Sequence, residues 1–386
     1  MKEINNFEQP ISLYIHVPFC TDKCSYCDFY SIKYNQSKIK KFIRYLKKEI
    51  IIYGNKYPET TVKTLYFGGG TPSLLSPSSI NEILNCINDN FNFVNYTEIT
   101  LESNPETLTT EKIAEYNKNG VNRLSMGVQS LNDSELKLLG RNHSSKKAKK
   151  MINIIKEYFK NYNIDLIFSI PGQNILSWQE TLNTILKFKP PHISTYNLQI
   201  EEGSRLKDLV DNGQLIPVSE KNDAEIYKKT INILKNSGYN HYEISNFAKT
   251  NYNCRHNLQY WQYEPYIGLG PSAHGFTGFK RYKNFADVNK YFSLLKNNSL
   301  PIAQFFNLDK KELMSEMMIM GLRLIEGVSK KRFQKRFNVS ISKIFGKEIK
   351  ETTEKGLIIE EGDKIKLTRR GIFLANQVFL RFLPPE

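Results

Sequence analysis

His16-Val17-Pro18-Phe19-Cys20-Thr21-Asp22-Lys23-Cys24-Ser25-Tyr26-Cys27 closes one short apolar run, residues 13–17, and Gly68-Gly69-Gly70-Thr71-Pro72 closes the next, residues 64–67. Further runs of strand length lie at 98–102, 123–128, 164–170 and 193–198. Between them the apolar spacing turns helical, at 38–52, 79–90, 110–117, 134–139, 145–160 and 178–188, with one more helix at 220–235. Six βα units in sequence predict a parallel sheet with right-handed crossovers. An open doubly wound sheet and an incomplete barrel both fit that order. The cysteine loop, the glycine turn, Glu102 and Gln129 all fall where strands end, which is where barrel enzymes carry their chemistry. The expectation is an α/β chain built on a partial (β/α)6 TIM-like barrel.

Cys20, Cys24 and Cys27 are spaced C-x3-C-x2-C. Thiolates are soft ligands that suit iron–sulfur clusters or zinc. Most [4Fe–4S] clusters take four cysteines; only three are local here, which leaves one iron open to an exchangeable ligand. Zinc would need a fourth ligand such as Cys254, His256 or His274, and one loop without a second paired knuckle is poor zinc-finger spacing. The cluster is the preferred reading. Gly68-Gly69-Gly70 lets the backbone approach a ligand and exposes amide donors, although a tight turn alone would use glycines in the same way.

With Tyr26 before the third cysteine, the loop resembles that of the radical S-adenosylmethionine superfamily. The resemblance implies that S-adenosylmethionine chelates the open iron and that the glycine turn meets its methionine amino group. Residues 12–16, 27–29, 100–105, 125–130 and 165–167 are similar, within that superfamily, to the oxygen-independent coproporphyrinogen III oxidase-like family, which holds both that oxidase and a heme chaperone. By that likeness Tyr14 and Tyr26 lie at the cofactor. Gly69, Gly70 and Thr71 would contact its methionine part. Glu102, Gln129, Arg141 and Asp165 would complete the shell, with Asn197 nearby. The chemistry is apt: Glu102 can accept from ribose hydroxyls and Arg141 can fork onto a carboxylate. Singly, each has a plainer role, as a cap, a surface residue or a brace for strand ends.

The family's two branches differ beside the cluster. The oxidase carries a further cysteine two residues after the third, and here that position is Phe29. The resemblance also implies that His256-Asn257-Leu258-Gln259-Tyr260-Trp261 carries a heme-binding histidine, His256, with Tyr260 and Trp261 as stacking surfaces. The plainer reading makes this motif a hydrogen-bonded brace at the barrel floor. The functional expectation is a heme-binding chaperone that passes heme to an acceptor protein, carrying a three-cysteine [4Fe–4S] cluster with S-adenosylmethionine on its open iron. The alternative is an oxygen-independent coproporphyrinogen III oxidase. Among the other histidines, His16 lies beside the cluster loop and His143 is expected in solvent.

Beyond these motifs the chain is long enough, at 386 residues, for more than one domain. The reading divides it into a barrel at 1–238, an extension carrying the histidine motif at 239–305, and a winged-helix-like module at 306–386. Strand signals on either side of Glu361-Gly362-Asp363 mark a hairpin in that module, and Thr368 caps the helix after it. Net charge is +15, from 54 Lys+Arg against 39 Asp+Glu, and most lysines are scattered. Residues 329–336 are basic enough to suggest nucleic acid, but Phe333 and Phe337 give them the look of an ordinary amphipathic helix, so no nucleic-acid partner is expected. Met314, Met317, Met318 and Met320 read as core. Five cysteines make no even disulfide framework, no apolar run approaches the ~18 residues of a membrane helix, and no signal-peptide pattern opens the chain. The expected compartment is the cytoplasm, and a membrane-associated acceptor would have to be reached without a membrane segment.

Overall fold

The computed structural model describes residues 7 and 9–384. Six strands run parallel in chain order: β1 (Ile11–Val17), β2 (Thr61–Gly69), β3 (Asn92–Ser103), β4 (Arg123–Gln129), β5 (Asn161–Phe168) and β6 (His192–Asn197). All six sequence-read strands are present, with ends moved by a few residues. Helices cross between them, from the long α1 (Gln36–Lys56) to α6 (Ile175–Lys187). Their starts follow local chemistry: the Asn35 side chain accepts from the Lys38 amide, and Ser76 and Ser144 do the same for the Ser79 and Lys147 amides.

The sheet continues beyond the six. β7 (Asn240–Glu243) and β8 (Asn246–Ala248) add antiparallel to the β6 edge. On the other edge β9 (Tyr266–Leu269) pairs parallel with β1, and β10 (His274–Phe276), β11 (Lys280–Asn284) and β12 (Ile302–Asn307) follow antiparallel. The result is one twelve-stranded sheet with a partial barrel at its centre. Residues 239–278, which show no clear period in the sequence, therefore supply strands to both edges.

Side chains alternate along the barrel strands in an unusual way. Leu13, Ile15, Val17, Leu65, Phe67, Leu101, Leu124, Met126, Ile164, Leu166 and Ile193 are buried in the main apolar core. The residues between them, Tyr66, Glu102, Arg123, Ser125, Asn163, Asp165 and Ser194, line one interior cavity. Parallel strands are usually apolar on both faces. Polar groups inside must find partners, and they do: the Asn163 amide donates to Ser125 Oγ at 2.8 Å, Asp165 Oδ1 at 2.7 Å and Ser194 Oγ at 2.9 Å.

The C-terminal module has its own core around Met314, Met317, Met318, Phe333, Phe337, Ile365 and Phe382. It is winged-helix-like: three helices, α11 (Lys310–Gly321), α12 (Lys330–Phe337) and α13 (Ile341–Glu354), with a three-stranded sheet that includes the hairpin Ile358–Glu361 and Lys364–Leu367. Thr368 Oγ1 accepts from the Gly371 amide at 3.0 Å, the cap read from the sequence. On α12 the basic side chains dock the module: Arg332 reaches Gln262 O and Glu264 Oε1, and Arg336 donates to Tyr263 O at 2.7 Å and Gly278 O at 2.9 Å. Phe333 and Phe337 are buried beneath them.

Candidate functional site

The carboxyl ends of β1 to β6 open into a cavity of about 440 Å³. Cys20, Cys24 and Cys27 all line it, half-buried and free. Their loop is held by backbone bonds on three sides. The Tyr34 amide donates to Cys20 O at 2.7 Å, the Ser25 amide to Leu139 O at 3.0 Å, and the Leu206 amide to Ser25 O at 2.9 Å. Two sulfurs also receive side-chain donors: Thr71 Oγ1 at 3.6 Å from Cys20 Sγ, and Arg141 Nη1 at 3.2 Å from Cys24 Sγ. Burial pushes the Cys20 thiol up and the Cys27 thiol up to about 11. Such thiols ionise when a metal supplies the compensating charge. Among the described residues no three His, Cys, Asp or Glu side chains converge as they would on one ion.

The glycine turn departs from the sequence reading in one respect. Its amides are not left exposed: Gly70 donates to Val17 O and Thr71 to Phe19 O, both at 2.8 Å. The turn is stitched to the strand that carries the cysteines. A Cβ at Gly70 would come within 2.7 Å of Phe19 O, and Gly69, at φ +108, has the His16 ring 2.6 Å from where its Cβ would lie. Close packing on the cysteine loop is why glycine is needed here.

Tyr26, Gly69, Gly70, Thr71, Glu102, Gln129, Arg141 and Asp165 all line the cavity, with Asn197. Gln129 ends its strand at φ 66, and its side-chain Oε1 is buried without a partner. Arg141 Nη2 donates to Gly127 O at 3.0 Å and to Asn104 Oδ1, while its Nε is unpartnered. Burial pushes the Glu102 carboxyl up to about 7, with the Asp165 carboxylate adding and the Tyr66 hydroxyl, 2.7 Å away, opposing. Burial likewise raises Asp165, against bonds from Ser125, Ser194 and Asn163.

Two predicted residues sit elsewhere. Tyr14 is behind the lining, its hydroxyl 3.2 Å from His16 Nδ1 and its ring stacked on Tyr66, which takes the lining position. His256 belongs to the short helix α9 (Arg255–Trp261), which plugs the barrel floor. It is 1% exposed. Its Nδ1 is 2.8 Å from Thr64 Oγ1 and its Nε2 is 2.9 Å from the Tyr260 hydroxyl, so both nitrogens are engaged and neither faces a ligand. Glu98 accepts the Arg255 and His256 amides at 3.1 and 3.0 Å, which fixes the helix start. The expectation of a solvated His143 is also corrected: it is buried, between Glu106 and Val128 O at 3.1 Å each. Asn104, Tyr66 and Arg123 are site residues that the motif reading missed. For Tyr66 and Arg123 the signal was in the sequence, as polar residues at alternate strand positions; Asn104 lies just past the end of β3.

Comparison with known proteins bears on the same residues. The Radical SAM superfamily model matches residues 14–185, and the HemN C-terminal domain model matches 308–374. The heme chaperone HemW of Bacillus subtilis (strain 168) is 35% identical over 374 residues, covering 96% of this chain and 99% of its own. The heme chaperone HemW of Lactococcus lactis subsp. lactis (strain IL1403) is 34% identical over 380 residues, covering 97% and 98%. Among solved structures, coproporphyrinogen III oxidase (HemN) from Escherichia coli, a radical SAM enzyme, superposes with a TM-score of 0.84 at 23% identity, covering 97% of this chain and 90% of that one. At that identity the match speaks for the fold.

Proposed function

The chain belongs to the family of the heme chaperone HemW, within the radical SAM superfamily, and from that premise we propose that it binds heme and passes it to an acceptor protein while carrying a [4Fe–4S] cluster and S-adenosylmethionine in the barrel cavity. The observation that carries the cofactor part is the gathering of three thiols, the glycine turn and the polar shell around one cavity. A cluster on three cysteines supplies an open iron and a one-electron donor when bound. Cys20, Cys24 and Cys27 would hold it. Thr71 and Arg141 orient two of the sulfurs and set a positive charge beside them. Gln129 Oε1 and Arg141 Nε, both buried and unpartnered, offer an acceptor and a donor to a zwitterionic ligand. Glu102 is suited to ribose hydroxyls.

The last role has a pH signature. Below about 7 the Glu102 carboxyl is protonated, and above it the group ionises and accepts hydrogen bonds more strongly. S-adenosylmethionine affinity should therefore rise between pH 6 and pH 8, by at most about tenfold from this one group. Equilibrium dialysis at the two pH values checks it. In Glu102→Gln the slope should flatten; an unchanged slope would assign the titration elsewhere.

Phe29 supports the chaperone branch. It is 62% exposed at the cavity mouth, where the likeness puts the oxidase's further cysteine. No helix among the described residues is long and apolar enough to cross a membrane, so a membrane-associated acceptor would be met from outside the bilayer. The test is anaerobic. Cluster-loaded protein titrated with heme should shift the Soret band, and incubation with coproporphyrinogen III and S-adenosylmethionine should yield no protoporphyrinogen. Robust decarboxylation without heme binding would replace this reading with the oxidase.

A further inference from the structure

We propose that the deep end of the barrel cavity is a carboxylate subsite anchored by Arg123, which takes a small monoanionic ligand in the presence of S-adenosylmethionine. Arg123 is the first residue of β4, and Gln129, in the proposed cofactor shell, is the last. Six residue steps of strand separate them by ~20 Å. The cavity nevertheless spans both ends, lined by Cys20 and Gln129 at the mouth and by Arg123 and Asn257 of the floor helix below.

Arg123 is 1% exposed and faces this space. Its Nε has no hydrogen-bond partner. Among the described residues it forms no ion pair: the salt bridges within 4.0 Å all involve other groups. The carboxylates around it are occupied by neutral donors instead. Glu98 takes the Arg255 and His256 amides and the Cys254 thiol. Glu102 takes the Tyr66 hydroxyl, and Asp165 takes Ser125 at 2.9 Å and Asn163 at 2.7 Å. Burial disfavours the Arg123 charge, and the Glu98 carboxylate, beyond ion-pair distance, offsets this; the open planar fork of Arg123 is shaped for a carboxylate. Glu102 and Asp165 line the same cavity, so a dianion such as phosphate would be repelled while a single carboxylate is tolerated.

The subsite is independent of heme, and its test uses none. Cluster-loaded protein saturated with S-adenosylmethionine is probed by saturation-transfer NMR with propionate, with its neutral isostere propionamide, and with inorganic phosphate. Propionate should bind at least tenfold more tightly than either of the others. Arg123→Gln should lose that preference, and Arg123→Lys should keep part of it, with circular dichroism showing that both variants keep the parent fold. Equal responses to propionate and propionamide in the parent protein would overturn the subsite, whatever the variants do. Undiminished propionate binding in Arg123→Gln would overturn the assignment to Arg123, and phosphate binding as tight as propionate would overturn the monoanion preference.

Discussion

Alanine at any one of Cys20, Cys24 or Cys27 should empty the protein of iron, while alanine at Cys86 or Cys254 should leave about four irons and four sulfides per chain, as a cubane requires. The contrast follows from where the sulfurs lie. The first three line the cavity mouth. Cys86 Sγ is 3.7 Å from Lys47 O against α1, and Cys254 Sγ is 3.7 Å from Glu98 at the barrel floor. The loop itself should survive each substitution, because its backbone bonds to Tyr34, Leu139 and Leu206 involve no sulfur. Iron and sulfide analysis after anaerobic reconstitution, alongside circular dichroism, separates a lost cluster from a lost fold. Stoichiometric zinc in place of iron in the parent protein would sink the cluster, and full iron retention in Cys24→Ala would remove that residue from the ligand set.

Much of this arrangement was legible because its causes are local. Each barrel strand is a run of alternating residues ended by a turn, and each helix start has a nearby side-chain oxygen, so the six βα units could be read in order. The alternation carried more than was first taken from it. Thr64-Leu65-Tyr66-Phe67, Glu98-Ile99-Thr100-Leu101-Glu102 and Asn163-Ile164-Asp165-Leu166 set polar against apolar at every step. In a parallel sheet that pattern marks an inner face built around a polar cavity, and it would have found Tyr66 and Arg123. What could not be read is non-local. β9 pairs with β1 across some 250 residues, and no spacing in residues 239–278 announces it. His143 sits in a polar stretch, yet Glu106 and the Val128 carbonyl, from separate parts of the chain, close over it. The basic run on α12 reads in sequence only as one face of an amphipathic helix, because its acceptors, Gln262, Tyr263, Glu264 and Gly278, lie about 58 to 73 residues earlier.

His256→Ala should weaken S-adenosylmethionine binding about tenfold, an effect that a residue reserved for heme would not produce. A neutral imidazole has one donor and one acceptor, and burial, with Arg123 adding, holds this ring neutral down to about 3. Both positions are used, on Thr64 and Tyr260. Iron could be reached only after a bond worth about 1 kcal/mol is given up and the floor helix moves. In place, the ring stacks on Tyr66 with centroids 4.9 Å apart, and Tyr66 donates to Glu102 at 2.7 Å. Removing the imidazole leaves the Tyr260 hydroxyl without its partner, Thr64 with Ser12 alone, and a void under Tyr66, so the carboxylate assigned to the ribose loses its support. The net loss of one hydrogen bond, about 1.4 kcal/mol, corresponds to the tenfold loss. His256→Gln keeps a donor and an acceptor and should recover part of it. Cofactor titration by electron paramagnetic resonance and heme titration by the Soret band, on the same preparations, decide the role. Weakened cofactor binding with an intact Soret shift makes His256 a brace and directs the search for the heme ligand to His274, which is exposed on β10. Unchanged cofactor affinity with a lost Soret shift would mean that the floor opens and that His256 reaches the iron after all.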